Sequence, residues 1–347
     1  MPSELQFLEF MYKNHSHKTL NTNTSSPEKR KSFNNKLPLV VILGPTASGK
    51  TDLVCILSKS ILLEVITCDS MQCYKGMDIG TNKPTKEIQS AVRHHLLDIK
   101  NPNESYNAGE FGHLANNAVR DIRKRNILPV IVAGTPLYLH TFLYGIMNAP
   151  SASPELRAKF EQEAKRNGTE SLWERLRRID PERASQIHPH NLRRIIRALE
   201  IYELTGSTMS DLLKTTKPYK EKLLLFGLRW PMKELYQRIN DRVNLMFEGG
   251  LVKEVKLLLK RFQNRSMPAL QAIGYKEVVK YLDGDYTLDE AIEEVKKNTR
   301  RFARKQMAWW KREKNIFWLE CRHQRDISES ARLIVQQVKK QVRYNEG

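Results

Sequence analysis

One short segment, residues 44–51, constrains the fold of this chain more than any other. It reads GPTASGKT and fits the pattern GxxxxGK[ST], in which glycines let backbone N–H groups close around phosphate oxygens. A β-branched run, residues 37–43, precedes it and a helix-like stretch, residues 51–60, follows it, as this loop requires. The sequence therefore predicts a P-loop in which a lysine supplies charge and a threonine hydroxyl reaches a metal ion. The residues predicted to bind phosphate are Gly44, Pro45, Thr46, Ala47, Ser48, Gly49, Lys50 and Thr51.

Further apolar runs at residues 62–68, 127–133 and 223–228 have the length and β-branched content of buried strands. Helical patterns separate them, which is typical of a parallel sheet built from β-α-β units. We therefore predict an α/β fold, a P-loop NTPase-like parallel sheet flanked by helices. In such sheets, ligands bind beyond the carboxyl ends of the strands.

The composition changes along the chain and suggests domain boundaries. Residues 13–36 are polar and lack apolar periodicity, so the first part of the chain is predicted to be a disordered leader. From about residue 150, charged helical stretches replace the strand pattern. The predicted scheme is a leader at 1–36, a catalytic core at 37–150 and about 221–320, a helical insertion at about 151–220, and a tail at 321–347.

Charge and cysteine content narrow the class of partner. The chain has 58 Lys and Arg against 39 Asp and Glu, a formal net charge of +19, which attracts polyanions such as nucleic acid. Its four cysteines form no CxxC pair, which favours a reducing compartment. No apolar run approaches the roughly 18 residues of a membrane span. We expect a monomeric cytoplasmic protein, with an organellar address left open for the leader.

Asp69 follows the second predicted strand and should emerge at the same sheet edge as the P-loop. By spacing alone, it is as well suited to hold a metal ion as to act as a base. The loop alone favours phosphoryl transfer, so a small-molecule kinase or an NTPase is the default class at this point.

Distinctive motifs lie at residues 44–51, 69–84, 94–98, 133–135, 154–157, 188–200, 271–276 and 299–306. Taken together, they resemble the tRNA dimethylallyltransferase (tRNA isopentenyltransferase) family, and the resemblance covers about residues 37–320. The sequence lacks the CxxC pattern of the C-terminal zinc finger found in many eukaryotic members, which indicates a bacterial-type or organellar enzyme.

The resemblance implies transfer of a dimethylallyl group from its diphosphate to N6 of the adenosine at tRNA position 37, with Mg²⁺ as cofactor. The P-loop would then hold a leaving diphosphate, and Thr51 would be the protein ligand nearest the metal. Asp69 would act as the base, with Thr46 and Arg242 contacting the reacting substrates. Spacing alone would make Arg242 a surface charge.

The resemblance also implies contacts with tRNA, among them contacts made by the helical insertion at about 151–220. On a helix, Lys297, Arg300, Arg301, Arg304 and Lys305 share one broad face, which by spacing alone would be an ordinary solvated surface. The residues implied to bind tRNA are Asp69, Ser70, Met71, Gln72, Thr135, Arg157, Arg193, Arg194, Arg197, Gln271, Gly274, Tyr275, Lys276, Arg300, Arg301, Arg304 and Lys305.

Some features depart from the family pattern or stay outside it. Ala133 replaces the first glycine of the usual GGT; its methyl group needs little room but could tighten the approach to the RNA, and activity is expected to survive. The histidine pairs at 94–95 and 188–190 lack metal-type partners and are predicted to be structural. The main alternative is an adenylate isopentenyltransferase, which modifies free AMP, ADP or ATP. A P-loop kinase or NTPase and a catalytically idle RNA-binding protein are the others.

Overall fold

The computed structural model describes residues 37–343. Six strands form one parallel sheet: β1 (Leu39–Leu43), β2 (Leu63–Cys68), β3 (His94–His95), β4 (Leu128–Ala133), β5 (Leu223–Arg229) and β6 (Ile316–Glu320). Their order in the sheet is β3-β2-β4-β1-β5-β6. Strand β4 therefore lies between β2 and β1, and β1 lies between two strands that come later in the sequence.

Helices cover both faces of the sheet, as the alternation along β1 shows. Val40 and Ile42 belong to one buried cluster, and Val41 and Leu43 belong to another. The helices are α1 (Lys50–Ser58), α2 (Lys86–Ala91), α3 (Ala108–Lys124), α4 (Pro136–Tyr144), α5 (Pro154–Asn167), α6 (Thr169–Ile179), α7 (Pro181–Ser185), α8 (Leu192–Thr205), α9 (Met209–Lys214), α10 (Met232–Glu248), α11 (Leu251–Phe262), α12 (Tyr275–Leu282), α13 (Leu288–Trp310) and α14 (Asp326–Arg343). The predicted fold class is confirmed.

The helices α5 to α9 lie between β4 and β5 in the chain, within the range predicted for an insertion. They enclose a buried cluster of their own, which includes Phe160, Leu172 and Ile195. Ser153 and Asn191 cap α5 and α8 by accepting N–H groups of the first turn. The insertion therefore has its own apolar core.

The segment assigned to a tail from residue 321 is part of the packed core in the structure. Ile327, Ala331, Ile334 and Val338 on α14 are buried in the same cluster as Leu53 of α1. Their spacing of three to four residues places them on one helix face. The leader assigned to residues 1–36 lies outside the described residues. No helix of the described part is long and apolar enough to cross a membrane.

Candidate active site

The site lies at the carboxyl edge of β1, β2 and β4. The P-loop follows β1, Asp69 follows β2, and Gly134 follows β4. Gly134 and Thr135 both donate their backbone N–H to the carbonyl of Cys68, at 3.0 and 3.1 Å. Because β4 lies between β1 and β2, this turn lies between the loop and Asp69.

The P-loop has the backbone shape of an anion cradle. Gly49 (φ 88°, ψ 22°) and Ala47 (φ 63°) adopt left-handed conformations, which turn successive peptide groups. The Lys50 ammonium donates to the carbonyls of Gly44, at 3.0 Å, and Pro45, at 2.8 Å. The lysine charge is therefore held at the entrance of the loop.

Burial lowers the pKa of Lys50 to about 8, and the nearby Arg242 adds to this effect, while Asp69 opposes it. A lysine with a lowered pKa beside a second cation favours an anionic ligand, because the ligand offsets the repulsion between the two positive groups. The electrostatics of the loop thus match a phosphate group.

Side chains from the second half of the chain donate hydrogen bonds to backbone carbonyls of the P-loop. Trp230 donates its indole N–H to the carbonyl of Ser48 at 3.0 Å. Arg238 donates to the carbonyl of Ala47 at 2.8 Å and stacks on the Trp230 ring, with its guanidinium carbon 4.3 Å from the ring centroid. With their carbonyls held, these peptide groups have fixed orientations. The sequence motifs did not single out either residue.

The Asp69 carboxylate accepts the backbone N–H groups of Met71, at 2.8 Å, and Gln72, at 3.3 Å. Burial raises the pKa of Asp69; those two hydrogen bonds and the charges of Lys50 and Arg242 oppose the rise without cancelling it. A carboxylate with a raised pKa is a stronger base than an exposed aspartate. This environment therefore suits proton acceptance.

Arg242 on α10 is partly exposed and reaches the P-loop. Its guanidinium donates to the Thr46 hydroxyl at 2.5 Å. The structure thus brings the three residues assigned to catalysis, Asp69, Thr46 and Arg242, to the same edge of the sheet. Arg242 is therefore a partner of the P-loop rather than an isolated surface charge.

Residues 133–135 form the AGT turn at the end of β4. In this turn Gly134, rather than Ala133, is the residue without room for a side chain. A Cβ atom at Gly134 would lie 2.6 Å from Asp69 Oδ2. The side chain of Ala133 is fully buried in the apolar cluster on one face of the sheet. The expectation that the Ala133 methyl group tightens the approach to RNA is therefore wrong, because that methyl group points into the core.

The segment that starts at Asp69 is held to the AGT turn and to the following loop. Ser70 donates its backbone N–H to the Thr135 hydroxyl at 3.0 Å. The Gln72 amide donates to the carbonyls of Thr81 and Asn82, at 3.1 and 3.2 Å. Ser70, Met71, Gln72 and Thr135 are all partly exposed at the site.

The turn 271–276 is only partly available to a ligand. Gln271 and Lys276 are exposed, whereas Gly274 and Tyr275 are buried. The Tyr275 hydroxyl donates to Glu254 at 2.5 Å, and its ring packs so closely on Gly80 that a Cβ there would lie 2.3 Å away. In this structure, Tyr275 and Gly274 therefore pack inside the protein, whereas Gln271 and Lys276 are the exposed residues among the four assigned to RNA in this turn.

Two of the arginines assigned to RNA share one buried carboxylate in the insertion. Glu200 is fully buried and accepts from Arg157 at 2.9 and 3.1 Å, and from Arg197 at 2.5 Å. It also accepts the backbone N–H of Ser153 at 2.8 Å. Both guanidinium groups stay partly exposed, and Arg193 and Arg194 on the same helix are exposed.

The basic face of α13 is present as predicted by its spacing. Arg301, Arg304 and Lys305 are exposed, and Arg300 is partly exposed and donates to Asn240 at 2.6 Å. Trp310 at the end of the helix is fully buried. Helix α13 therefore presents cations outwards and anchors its other face in the core.

The sequence comparisons identify the family. The sequence model of the IPP transferase family matches residues 72–313. The tRNA dimethylallyltransferase of Bacillus subtilis is 44% identical over 291 residues, which cover 83% of this chain and 92% of that protein. The chain belongs to the tRNA dimethylallyltransferase family. A second relative in this family, from Anoxybacillus flavithermus, is 45% identical and covers 81% of this chain and 90% of its own length.

Solved structures of the tRNA dimethylallyltransferase family share the fold. The tRNA isopentenylpyrophosphate transferase of Bacillus halodurans superposes with a TM-score of 0.64 at 40% identity, covering 90% of this chain and 100% of that one. A eukaryotic dimethylallyltransferase acting on tRNA gives a TM-score of 0.72 at 29% identity, over 86% of this chain and 78% of that one. These matches favour the tRNA branch over the adenylate-modifying branch and over a kinase or NTPase.

Proposed function

We propose that the chain transfers a dimethylallyl group from dimethylallyl diphosphate to N6 of adenosine 37 in tRNA, releasing diphosphate. One observation carries this proposal: Asp69 and the P-loop lie at one sheet edge, with the Arg242–Thr46 hydrogen bond beside them. A P-loop accounts for diphosphate binding, and a partly buried carboxylate with a raised pKa accounts for activation of an amine nucleophile.

In the reaction, the adenine N6 forms a bond to the allylic carbon of the donor as the bond from that carbon to the diphosphate oxygen breaks. The electron pair of the broken bond leaves with diphosphate. Asp69 accepts the proton that N6 loses. The loop N–H groups, Lys50 and Arg242 stabilise the negative charge that grows on the departing oxygens.

Mg²⁺ fits this site as an ion that arrives largely with the diphosphate. Among the described residues, no group of three or more His, Cys, Asp or Glu side chains is placed to hold a metal ion. Mg²⁺ commonly takes few protein ligands and keeps phosphate oxygens and water. The Thr51 hydroxyl in the first turn of α1 would hold the ion, which when bound stabilises charge on the diphosphate.

Transfer to tRNA rather than to a free nucleotide is supported by the basic surfaces. An adenine inside an RNA loop must turn out of its stack to reach Asp69, so the protein has to grip the flanking phosphates. Arg301, Arg304 and Lys305 on α13, with Arg193 and Arg194 on the insertion, supply exposed cations for this. A free nucleotide would need no such surface.

We propose a monomer that acts in the cytoplasm. Every residue assigned to the reaction belongs to one chain, so no second copy is needed to complete the site. The four cysteines are all free, which suits a reducing compartment. Light scattering with and without tRNA tests the oligomeric state.

The function is tested by incubating the protein with radiolabelled dimethylallyl diphosphate, Mg²⁺ and either unmodified tRNA or AMP. Digestion to nucleosides then shows where the label resides. We expect label in N6-(dimethylallyl)adenosine from tRNA alone. Label only in the AMP reaction would overturn the choice of substrate, and release of phosphate from ATP without prenyl transfer would overturn the reaction class.

A further inference from the structure

Gln306 on α13 is a buried polar residue next to the proposed reaction site. Only 3% of the surface of Gln306 is exposed. The Oε1 atom accepts the backbone N–H of Thr46 at 2.9 Å, and the Nε2 group donates to the carbonyl of Gly134 at 2.5 Å. One amide therefore bridges the P-loop and the turn after β4.

The two bridged peptide groups belong to the two halves of the proposed chemistry. Thr46 lies in the loop assigned to the leaving diphosphate, and its hydroxyl accepts from Arg242. Gly134 lies against the Asp69 carboxylate, close enough to exclude a side chain. A shift of either backbone segment would change the separation between the base and the leaving group.

The bridge needs a side chain with an acceptor and a donor at fixed separation. A neutral carboxamide has both, and neither a carboxylate nor an ammonium group does. In a buried setting, such hydrogen bonds are costly to leave unmade, so the geometry they impose is firmly held.

We propose that Gln306 is a positioning residue that sets the distance between the diphosphate loop and Asp69. This inference rests on the proposed transfer reaction. Gln306 touches neither reacting group, so its removal should reduce the rate of the chemical step more than the binding of either substrate. A displacement of about 1 Å at such a site costs on the order of 100-fold in rate.

The first test is Gln306→Met, which keeps the length of the side chain and removes both hydrogen bonds. Met307→Leu is the matched control, because Met307 is the next buried residue of α13 and packs in the apolar cluster. We expect Gln306→Met to lower kcat by roughly 100-fold, with KM values for both substrates within a few-fold of wild type. Met307→Leu should leave kcat unchanged.

The second test is Gln306→Glu. A protonated glutamic acid restores one donor and one acceptor, whereas the carboxylate has no donor for the Gly134 carbonyl. Burial favours the protonated form. We therefore expect the ratio of variant to wild-type kcat to rise as the pH falls, a signature that a change in fold stability alone would not give.

Two results would overturn the inference: a Gln306→Met enzyme with wild-type kcat, or a Gln306→Glu ratio that falls as the pH falls. A loss confined to thermal stability or to KM would also overturn it. The parallel wild-type reaction separates the two proposals. If the wild-type protein transfers the dimethylallyl group and the variant is equally active, only the role of Gln306 is wrong. If the wild-type protein transfers nothing, the proposed function and the role of Gln306 are both wrong.

Discussion

Gly134 and Asp69 are in direct contact at the edge of the sheet, and a Cβ atom at Gly134 would lie 2.6 Å from Asp69 Oδ2. Because that distance is shorter than a van der Waals contact, any side chain at residue 134 must move the carboxylate. Asp69 is also held by two backbone N–H groups, so it cannot move without losing hydrogen bonds. The position of the proposed base therefore depends on a glycine.

Gly134→Ala should lower kcat by roughly 100-fold, since the base is displaced by about 1 Å. The matched control is Ala133→Gly, one residue earlier, whose methyl group is buried in the core. That variant should retain kcat and lose about 1 kcal/mol of unfolding free energy. Single-turnover transfer assays measure the rate of the two variants, and urea denaturation measures their unfolding free energy. Equal activity of the two variants would contradict the contact described above.

Asp69→Asn should abolish transfer while leaving tRNA affinity close to that of wild type, because the amide cannot accept the N6 proton. In the wild-type enzyme, the raised pKa of Asp69 places the acidic decline of kcat above the usual pKa of an aspartate. Transfer rates between pH 4 and pH 8 and a filter-binding assay with tRNA test this. Unchanged turnover in Asp69→Asn would remove the residue from its role.

Diphosphate binding should take up protons above pH 8. Lys50 has a pKa of about 8 in the unliganded protein, so it is largely neutral at pH 9, and a bound anion restores its charge. Affinity for diphosphate should therefore fall as the pH rises through 8. Calorimetry in buffers of different ionisation enthalpy measures the uptake, and Lys50→Met should show less of it. Equal uptake by both proteins would assign the proton to another group.

Glu200→Gln should destabilise the protein by about 2 kcal/mol at pH 7, because a buried charged acceptor of two arginines is lost. Burial alone would raise the pKa of Glu200, but the hydrogen bonds from Arg157 and Arg197 outweigh it and hold that pKa below its usual range. The carboxylate thus stabilises the fold above the unfolded pKa, and this contribution is lost as the pH falls through the folded value.

As the pH falls from 5 to 3, the unfolding free energy of Glu200→Gln should therefore decrease less than that of the wild type. Urea denaturation at each pH measures this. The control is Glu203→Gln on the same helix, an exposed partner of Arg175, which should change stability by less than about 1 kcal/mol. Equal effects of the two substitutions would contradict a special role for the buried carboxylate. Glu200→Gln should also raise KM for tRNA and leave KM for dimethylallyl diphosphate unchanged.

Replacing Arg301, Arg304 and Lys305 by Gln should weaken tRNA binding and flatten its salt dependence. With fewer phosphate contacts, binding releases fewer counterions from the RNA. The control replaces Lys339 and Lys340, two exposed cations on α14, which packs against α1. Binding measured across a series of salt concentrations distinguishes the sets. An unchanged slope in the α13 variant would place the RNA on another surface.

The central strands could be predicted from the sequence because both faces of each are covered, which produces unbroken apolar runs. The edge strands could not. In β6, Phe317 is 48% exposed and only Leu319 is deeply buried, so the pattern is broken. The amphipathic helix α14 was assigned to a tail because it follows that weak strand and lies beyond the motifs.

The site was predictable where chemistry is encoded locally, as in the P-loop and in Asp69 after its strand. The site could not be predicted where tertiary packing determines which residues come together. Gln306 is far from the loop in sequence and is joined to it only by the fold. Tyr275 was assigned to RNA only through the family resemblance, and its burial could not be foreseen, because the absence of a side chain at Gly80 lets its ring enter the interior.

The position of β1 between β4 and β5 has a consequence for synthesis of the protein. A nascent chain that has emerged only through β4 already contains the entire GPTASGKT sequence, yet it lacks Trp230, Arg238 and Gln306, which hold the loop's peptide groups. The strand that pairs with the other edge of β1 is also still to come. Competence to bind diphosphate should thus arise late on the ribosome, only after the helical insertion, α5 to α9, has been made.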